Sequence, residues 1–182
     1  MKYDYYYIEN VISQKDISDI NQAIRNFDSS ELEDLPAENV FKTAKVSVIP
    51  MFHINHMIYK FNQQIININR LYFGFDIFSD CDLEFVNFNV YDADNSGQYS
   101  WHIDGSKSEP NDIKLTAIIN LSEEPYQGGE FDLFVNGPIR IPQIDVPGTM
   151  LVFPSFIPHR VNPVTQGKRI SLSRWIIGPT WK

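Results

Sequence analysis

The sequence predicts a mainly β (α+β) fold in which N-terminal helices pack on an antiparallel sandwich or jelly roll. Apolar residues recur at helical spacing in two segments of the first 70 residues. From about residue 83, short runs alternate between apolar and polar residues, and glycine, proline and asparagine turn signals separate them. Aromatic residues make up 14% of the chain, which is typical of large side chains packed between sheets. Helices followed by many short strands indicate this architecture.

Two helices are expected in the N-terminal part. The first covers residues 13–27, because Ser13 can cap it and Asp16 lies in the first turn, beside the positive end of the helix dipole. The second covers residues 52–70, and the acidic and polar residues 28–40 between them are expected to form a loop. The apolar residues at helical spacing are Ile17, Ile20, Ala23 and Ile24 in the first helix and Ile54, Ile58, Phe61 and Ile65 in the second.

Alternation with a period of two predicts the strands. Residues 83–91 place one set of side chains on each face of a strand. The two sets are Val86, Phe88 and Val90 on one face and Asn87, Asn89 and Tyr91 on the other. A short strand or extended entry is expected over residues 5–12, and further strands over residues 97–104, 114–121, 129–135, 139–144, 148–153 and 169–177. The turn Gly128-Gly129-Glu130 is expected to tighten a hairpin in which side chains would clash.

The length of 182 residues fits one domain over residues 1–182, with helical support in 1–80 and the β core in 83–180. A formal net charge of −8 argues against a general binder of nucleic-acid phosphates. Cys81 is the single cysteine, so an intrachain disulfide is excluded, which suits a reducing compartment. The sequence contains neither a signal-peptide pattern nor a long apolar stretch, so a cytoplasmic location without a membrane partner is expected.

The segment around His102 and Asp104 indicates a metal site. In a strand, side chains two residues apart point the same way, so both could reach one ion. His159 is the natural candidate for a third ligand from a distant part of the chain. Two imidazoles and a carboxylate on one face of an iron leave three positions open, two for a chelating 2-oxo acid and one for dioxygen. By contrast, His53 and His56 have no evident carboxylate partner and are expected to be ordinary helix residues.

A second cluster of polar side chains follows in the last predicted strand. Alternation puts Arg169, Ser171 and Ser173 on one face, opposite Ile170 and Leu172. An inward-facing guanidinium would be costly in an apolar core, but it would suit a pocket for a dicarboxylate, where arginine forms a bidentate pair. The alternative is an outward-facing arginine on a surface strand.

Several motifs in order support the metal hypothesis further. They are Tyr91, Gly97–Asp104, Leu115–Ser122, Tyr126–Phe131, Pro147–Ser155, His159, Val161–Val164 and Gly167–Ser171. Over roughly residues 83–180 the chain resembles the prolyl 4-hydroxylase-like branch of the iron(II)/2-oxoglutarate-dependent oxygenases, particularly short bacterial and phage-type members. His-x-Asp alone occurs often by chance, and the ordered set is far more specific.

The resemblance implies a double-stranded β-helix, a jelly roll with iron(II) near one open end. It implies that iron is bound by His102, Asp104 and His159, that Arg169 holds the distal carboxylate of 2-oxoglutarate, and that Tyr91 hydrogen-bonds this co-substrate. Asn120 occupies a position where relatives often place a tyrosine or glutamine that reaches the same ligand, and Ser171 is expected in the same pocket. Ascorbate is an optional reductant of such a site. Trp175 is expected to pack, with lining of the pocket as the alternative, and Tyr99 is expected to form a wall and not to bind the metal.

The implied activity is hydroxylation of a C–H bond with dioxygen and release of succinate and CO2. Asp104 favours hydroxylation, since halogenating relatives carry a small residue in its place. The expected substrate is a peptidyl prolyl or related amino-acid residue, or a small amino acid. One alternative is oxidation of a nucleobase or a small metabolite, and the net charge of −8 makes a nucleic-acid substrate less favoured. The other alternative is a non-catalytic jelly-roll binding module.

Two further features concern the substrate. The polar loop over residues 105–112 is either a substrate lid or an ordinary surface turn. The basic residues Lys107, Arg160 and Lys168 give a weak indication of an acidic substrate.

Overall fold

The computed structural model describes residues 3–27, 33–35, 38–39, 41–78, 85–105 and 111–181. The N-terminal elements are β1 (Tyr6–Ile8), α1 (Gln14–Arg25), β2 (Glu33–Leu35), β3 (Glu38–Asn39), β4 (Lys42–Thr43), β5 (Lys45–Pro50), α2 (Met51–Ile54), α3 (Tyr59–Ile68) and a π-helical turn (Asn69–Phe73). Next come β6 (Phe85–Asp92), a 3₁₀ turn (Ala93–Asn95), β7 (Gln98–His102), β8 (Asp112–Asn120), β9 (Gln127–Gly128), β10 (Phe131–Phe134) and β11 (Pro138–Arg140). A second 3₁₀ turn (Pro142–Asp145), β12 (Met150–Pro154), β13 (His159–Val161), β14 (Val164–Gln166) and β15 (Lys168–Gly178) complete the described part.

Two antiparallel sheets form the jelly roll. Within the described residues, the major sheet has the strand order β1-β12-β8-β15-β6-β5-β2, and the minor sheet has the order β11-β10-β13-β7-β4-β3. The short pair β14-β9 stands apart from both. The helices lie against the major sheet, so the predicted mainly β fold with helices packed on a sheet is confirmed.

The two faces of the major sheet differ in polarity. Its outer face packs against the helices through an apolar core that includes Ile17, Ile20, Ile54, Phe61, Ile65, Val86, Phe88 and Leu172. The inner face carries polar side chains, because β6 and β15 pair in a register that puts Arg169 opposite Tyr91 and Ser171 opposite Asn89. A second apolar core between the sheets includes Tyr91, Ile118, Phe131, Phe153 and Val161. The predicted alternation along both strands is therefore confirmed.

Helix α1 begins where the sequence predicts. The Ser13 hydroxyl accepts a hydrogen bond from the Asp16 backbone N–H at 3.2 Å, and the Asp16 carboxylate accepts one from the Ser13 N–H at 3.0 Å. This reciprocal pair is a capping box, which satisfies two backbone donors that the helix cannot pair itself.

Three expectations about the elements are wrong in part. Residues 28–40 were expected to form a loop, but β2 and β3 lie there and pair with β5 and β4. The predicted helix over 52–70 is broken between α2 and α3 at Asn55, whose side-chain oxygen accepts a hydrogen bond from Asn62 at 2.9 Å. The strand predicted over 139–144 ends at Arg140, because Pro142 lacks the N–H that a ladder requires and begins a 3₁₀ turn.

The structural role predicted for the glycine turn is confirmed, but the turn does not close a hairpin, since β9 pairs with β14 and β10 pairs with β11 and β13. Gly128 and Gly129 adopt φ values of +74° and +67°, which side chains rarely tolerate. A Cβ on Gly128 would lie 2.3 Å from the Pro163 carbonyl oxygen, and one on Gly129 would lie 3.0 Å from Arg169 Cδ. The turn therefore needs glycine for backbone conformation and for space.

Among the described residues, no helix has both the length and the apolar character needed to cross a membrane.

The capping box gives a test of the fold. We expect Ser13→Ala to lower the free energy of unfolding by about 1 kcal/mol, because the Asp16 backbone N–H loses its acceptor, the Ser13 hydroxyl. Ser18→Ala is the matched control, since Ser18 is exposed in the middle of the same helix. Chemical denaturation of both variants measures the difference, and equal stabilities would show that the box contributes nothing.

Candidate metal centre and co-substrate pocket

Strand pairing in the minor sheet brings the three predicted ligands together. His102 ends β7, and His159 begins the antiparallel strand β13 directly opposite it. Asp104 follows two residues later, where its backbone N–H donates to the Ser155 carbonyl at 3.1 Å. One ligand atom from each of the three side chains lies within 4.8 Å of the other two. The predicted convergence of these distant residues is confirmed.

Both imidazoles are oriented by the backbone. His102 Nδ1 lies 2.8 Å from the Ser100 carbonyl oxygen, and His159 Nδ1 lies 3.0 Å from the Ile157 carbonyl oxygen. Since a carbonyl only accepts, each Nδ1 carries the proton, and each Nε2 lone pair is left for a metal. The Nε2 atoms lie 3.8 Å and 3.4 Å from the two oxygens of Asp104.

The protonation states suit metal binding. Burial, reinforced by the neighbouring His159, lowers the pKa of His102 to about 4. Burial also lowers the pKa of His159. A lowered imidazole pKa favours the neutral form, so both rings are neutral near pH 7 and need not lose a proton to bind a cation.

Neighbouring side chains hold the ligands in place. The Thr116 hydroxyl, on the inner face of β8, donates a 2.6 Å hydrogen bond to Asp104 Oδ2. The Tyr99 ring stacks on His102 with centroids 3.5 Å apart, and Phe153 packs edge-on against His159 at 4.8 Å. The ligands are therefore restrained by hydrogen bonds and packing before any ion binds.

The ligands open into a small cavity of about 30 Å³ between the sheets. Its wall includes Tyr99, as predicted, and Tyr91. Trp175 was expected to pack but also lines the cavity, because it shares the inner face of β15 with Arg169 and Ser173. The indole ring of Trp175 therefore forms part of the cavity wall.

Arg169 lies on the same inner face, behind Tyr91. It is 1% exposed, and its guanidinium carbon is 5.5 Å from the centre of the Tyr91 ring. Nη1 donates to the Ser171 hydroxyl at 3.3 Å, whereas Nε and Nη2 have no hydrogen-bond partner in the described part of the chain. Unpaired donors on a buried cation are costly, so this arrangement fits an anionic ligand with two acceptor oxygens.

Asn120 is held differently from expectation. It is fully buried, and its amide nitrogen donates to the carbonyl oxygens of Ile144 and Asp145 at 2.8 and 3.1 Å. The same nitrogen lies 3.3 Å from the Tyr126 hydroxyl. These contacts tie β8 to the second 3₁₀ turn, and a contact of Asn120 with 2-oxoglutarate stays a prediction.

Sequence reasoning missed two residues near the site. Tyr126 belongs to the Tyr126–Phe131 motif, of which only the glycines had been interpreted. Lys42 lies on β4, where no strand was predicted, and its ammonium is 3.1 Å from Asn89 Oδ1 and 4.5 Å from the Tyr99 ring centre. Burial lowers the pKa of Lys42 to about 8. The sequence around Lys42 shows no alternation or motif that would predict that its side chain reaches the cavity.

Other residues singled out from the sequence lie away from the site. Arg160 pairs with Asp132 at 2.8 Å, and Lys168 pairs with Asp92 at 2.7 Å. His53 packs against aromatic rings, and His56 lies at the surface. Of the loop 105–112, residues 106–110, including Lys107, lie outside the described residues, so the lid hypothesis stays a prediction.

A family comparison identifies the class of protein. The profile of the 2OG-Fe(II) oxygenase superfamily matches residues 86–177, which is just over half of the 182-residue chain. The chain therefore belongs to this superfamily, and the resemblance found in the sequence is confirmed.

Individual relatives agree with this assignment. A PKHD-type hydroxylase of Xylella fastidiosa (strain 9a5c) is 32% identical over 104 residues, which are 49% of this chain and 42% of that protein. The match thus spans about two fifths of this relative. The crystal structure of a Pseudomonas putida prolyl-4-hydroxylase superposes with a TM-score of 0.75 at 19% identity, covering 98% of this chain and 94% of that one.

A second crystal structure shares the fold. It is a prolyl hydroxylase from Trichoplax adhaerens in complex with a hypoxia inducible factor oxygen degradation domain peptide fragment. It superposes with a TM-score of 0.74 at 17% identity, covering 95% of this chain and 83% of that one. Both likenesses confirm the double-stranded β-helix.

Membership of the family and the geometry together define the cofactors, which are iron(II) and 2-oxoglutarate. His102, Asp104 and His159 are the iron ligands, since two imidazoles and one carboxylate on one face suit iron(II). The expectation that ascorbate also takes part stays a prediction.

The Thr116–Asp104 hydrogen bond can be tested through metal affinity. We expect Thr116→Val to weaken binding of iron(II), or of manganese(II) as a stable substitute, by roughly 10- to 100-fold, because Asp104 loses the donor that orients it. Thr149→Val is the matched control, since the Thr149 hydroxyl is buried without a hydrogen-bond partner among the described residues and does not line this cavity. Anaerobic calorimetry measures both, and unchanged affinity in Thr116→Val would contradict the orienting role.

Proposed function

We propose that this chain is a 2-oxoglutarate-dependent hydroxylase of a peptidyl prolyl or related amino-acid residue. The observation that carries the proposal is the buried Arg169, which has two unpaired donors and lies behind Tyr91, a residue that also borders the metal cavity. A buried cation separated from the metal cavity by one tyrosine suits a dicarboxylate whose other end reaches the metal.

The reaction balances without any further reductant. Substrate C–H, 2-oxoglutarate and dioxygen give the alcohol, succinate and CO2, with one oxygen atom entering succinate and the other entering the new hydroxyl group. Bound iron(II) supplies the open coordination positions and the redox chemistry. The retained carboxylate of Asp104 supports hydroxylation over halogenation, because it fills the position that a halide would need.

The protein side chains bind and orient the co-substrate in this proposal. Arg169 pairs with the distal carboxylate through Nε and Nη2, while Ser171 holds Nη1. The Tyr91 hydroxyl donates a hydrogen bond to the co-substrate. Burial raises the pKa of Tyr91, so the phenol keeps its proton, and with it the ability to donate, throughout the neutral range.

The cavity and the relatives support a prolyl substrate. Tyr99, Trp175 and Val161 form aromatic and apolar walls beside the metal ligands, and such walls suit the uncharged ring of proline. One structural relative is a prolyl-4-hydroxylase, and another was crystallised with a peptide fragment. The acidic-substrate indication has little support, because Arg160 and Lys168 are already paired with carboxylates.

Removal of the metal carboxylate tests the catalytic proposal. We expect Asp104→Ala to abolish formation of succinate from 2-oxoglutarate, because two histidines alone hold iron poorly. Asp94→Ala serves as the matched control, since Asp94 is an exposed carboxylate outside the site. Succinate is measured by chromatography and folding by thermal unfolding. Full activity in a folded Asp104→Ala protein would contradict the assignment.

Removal of the guanidinium tests the co-substrate pocket. We expect Arg169→Met to weaken 2-oxoglutarate binding by about 100-fold, because a charge-assisted pair is lost while side-chain volume is kept. Arg70→Met, at an exposed arginine, should bind normally. Anaerobic calorimetry with the iron-loaded proteins measures both affinities for 2-oxoglutarate. Equal affinities of the two variants would contradict the proposed role of Arg169.

A product screen tests the substrate class. Prolyl peptides, free proline and single-stranded oligonucleotides are incubated with iron(II), 2-oxoglutarate and dioxygen, and mass spectrometry detects the gain of one oxygen atom. We expect a hydroxylated peptide. Oxygen gained only by the oligonucleotide would replace the prolyl substrate with a nucleobase. If neither product nor succinate forms although 2-oxoglutarate binds, the chain is a binding module.

A further inference from the structure

We propose that Tyr126 donates a hydrogen bond to the distal carboxylate of 2-oxoglutarate, and that Asn120 positions Tyr126 instead of contacting the co-substrate. The inference rests on the proposed role of Arg169 as the anchor for that carboxylate. The second donor to the distal carboxylate is then Tyr126, on the connection between β8 and β9. Asn120, at the end of β8, was expected to contact the co-substrate but in this proposal does not.

Tyr126 and Arg169 are neighbours across a glycine. An ideal Cβ on Gly129 would lie 3.0 Å from Arg169 Cδ and 3.4 Å from Tyr126 Cε2. Both side chains therefore pass over the same face of this residue, which has no side chain of its own. Their closeness also shows in the electrostatics: burial raises the pKa of Tyr126, and the positive charge of Arg169 partly opposes that rise.

Asn120 has no donor left for a ligand. Its amide group has two hydrogens, which three acceptors share: the carbonyl oxygens of Ile144 and Asp145 at 2.8 and 3.1 Å and the Tyr126 hydroxyl oxygen at 3.3 Å. Its side-chain oxygen accepts from the Ser122 N–H at 2.8 Å. Because the side chain is fully buried, turning it toward a ligand would leave these backbone groups unpaired.

Tyr126, in contrast, has its hydrogen available. Its hydroxyl oxygen lies 3.3 Å from the Asn120 amide nitrogen and accepts from it. The hydroxyl hydrogen has no acceptor among the described residues, and the net upward shift of the pKa keeps that hydrogen in place near pH 7. Asn120 thus fixes the orientation of the Tyr126 phenol, whose hydroxyl hydrogen remains available for a ligand.

One carboxylate can satisfy all the free donors in this corner. Its two oxygens offer about four acceptor positions, and the corner presents Arg169 Nε, Arg169 Nη2 and the Tyr126 hydroxyl. The backbone beneath is held in place, since the Ser122 hydroxyl accepts from the Ile170 N–H at 2.9 Å. The corner therefore recognises the group that distinguishes 2-oxoglutarate from shorter 2-oxo acids.

The test compares two co-substrates on Tyr126→Phe. Iron-loaded protein is titrated without oxygen by calorimetry, once with 2-oxoglutarate and once with 2-oxobutyrate, which chelates alike but lacks the distal carboxylate. We expect about 10-fold weaker binding of 2-oxoglutarate, a typical loss for one hydrogen bond to a charged group, and unchanged binding of 2-oxobutyrate. Tyr7→Phe, at an exposed tyrosine, is the matched control and should bind both acids normally.

The positioning role of Asn120 needs a second comparison. If Asn120 acts through Tyr126, adding Asn120→Ala to Tyr126→Phe causes no further loss of 2-oxoglutarate affinity, whereas Asn120→Ala alone does cause a loss. Independent losses that add in the double variant would overturn this role. Thermal unfolding of each variant identifies any protein that fails to fold, in which case the Tyr126→Phe titration decides alone.

The outcomes separate this inference from the proposed function. Normal 2-oxoglutarate binding by Tyr126→Phe, together with weak binding by Arg169→Met, would overturn the role of Tyr126 and leave the anchor intact. Equal loss for both acids would mean that Tyr126 supports the metal end of the pocket, which also overturns the proposal. Normal binding by Arg169→Met would instead overturn the anchor itself.

Discussion

The pairing of β7 with β13 is the constraint on which the rest of the site depends. It places His159 directly opposite His102, so two residues far apart in sequence meet across one ladder. Backbone carbonyls two residues earlier then orient both rings, and Thr116 orients Asp104 from the other sheet. A one-residue slip in this register would turn His159 to the opposite face and separate the ligands.

The major sheet makes the co-substrate pocket possible because its two faces differ in polarity. Apolar residues such as Phe88 and Leu172 pack against the helices, and this burial stabilises the sheet. The opposite residues of the same strands are then free to be polar. Arg169, Asn89 and Ser173 lie there although an inward guanidinium is unfavourable by itself. The helical layer thus offsets this cost, which an anion bound at Arg169 would relieve under the proposed function.

Several side chains were assigned correctly from alternation, and others could not be. The period of a strand predicted that Arg169 and Ser171 share one face, because that property is local, and the structure shows that this face is the inner one. Asn120 also faces inward, but its partners are carbonyl oxygens of a 3₁₀ turn more than twenty residues away, which no spacing reveals. Trp175 and Lys42 reach the cavity only because the two sheets close around it.

The sequence by itself determined the chemistry: the identity of the metal ligands, the arginine on their side of the barrel, and the helices-then-strands order of a jelly roll. These follow from residue type, from periods of two and 3.6, and from the ordered motifs that resemble the oxygenase family. Tertiary structure alone decided which donors remain free. A side chain has a limited number of donor hydrogens, so whether Asn120 or Tyr126 can serve a ligand depends on neighbours that only the folded chain brings within 3.3 Å.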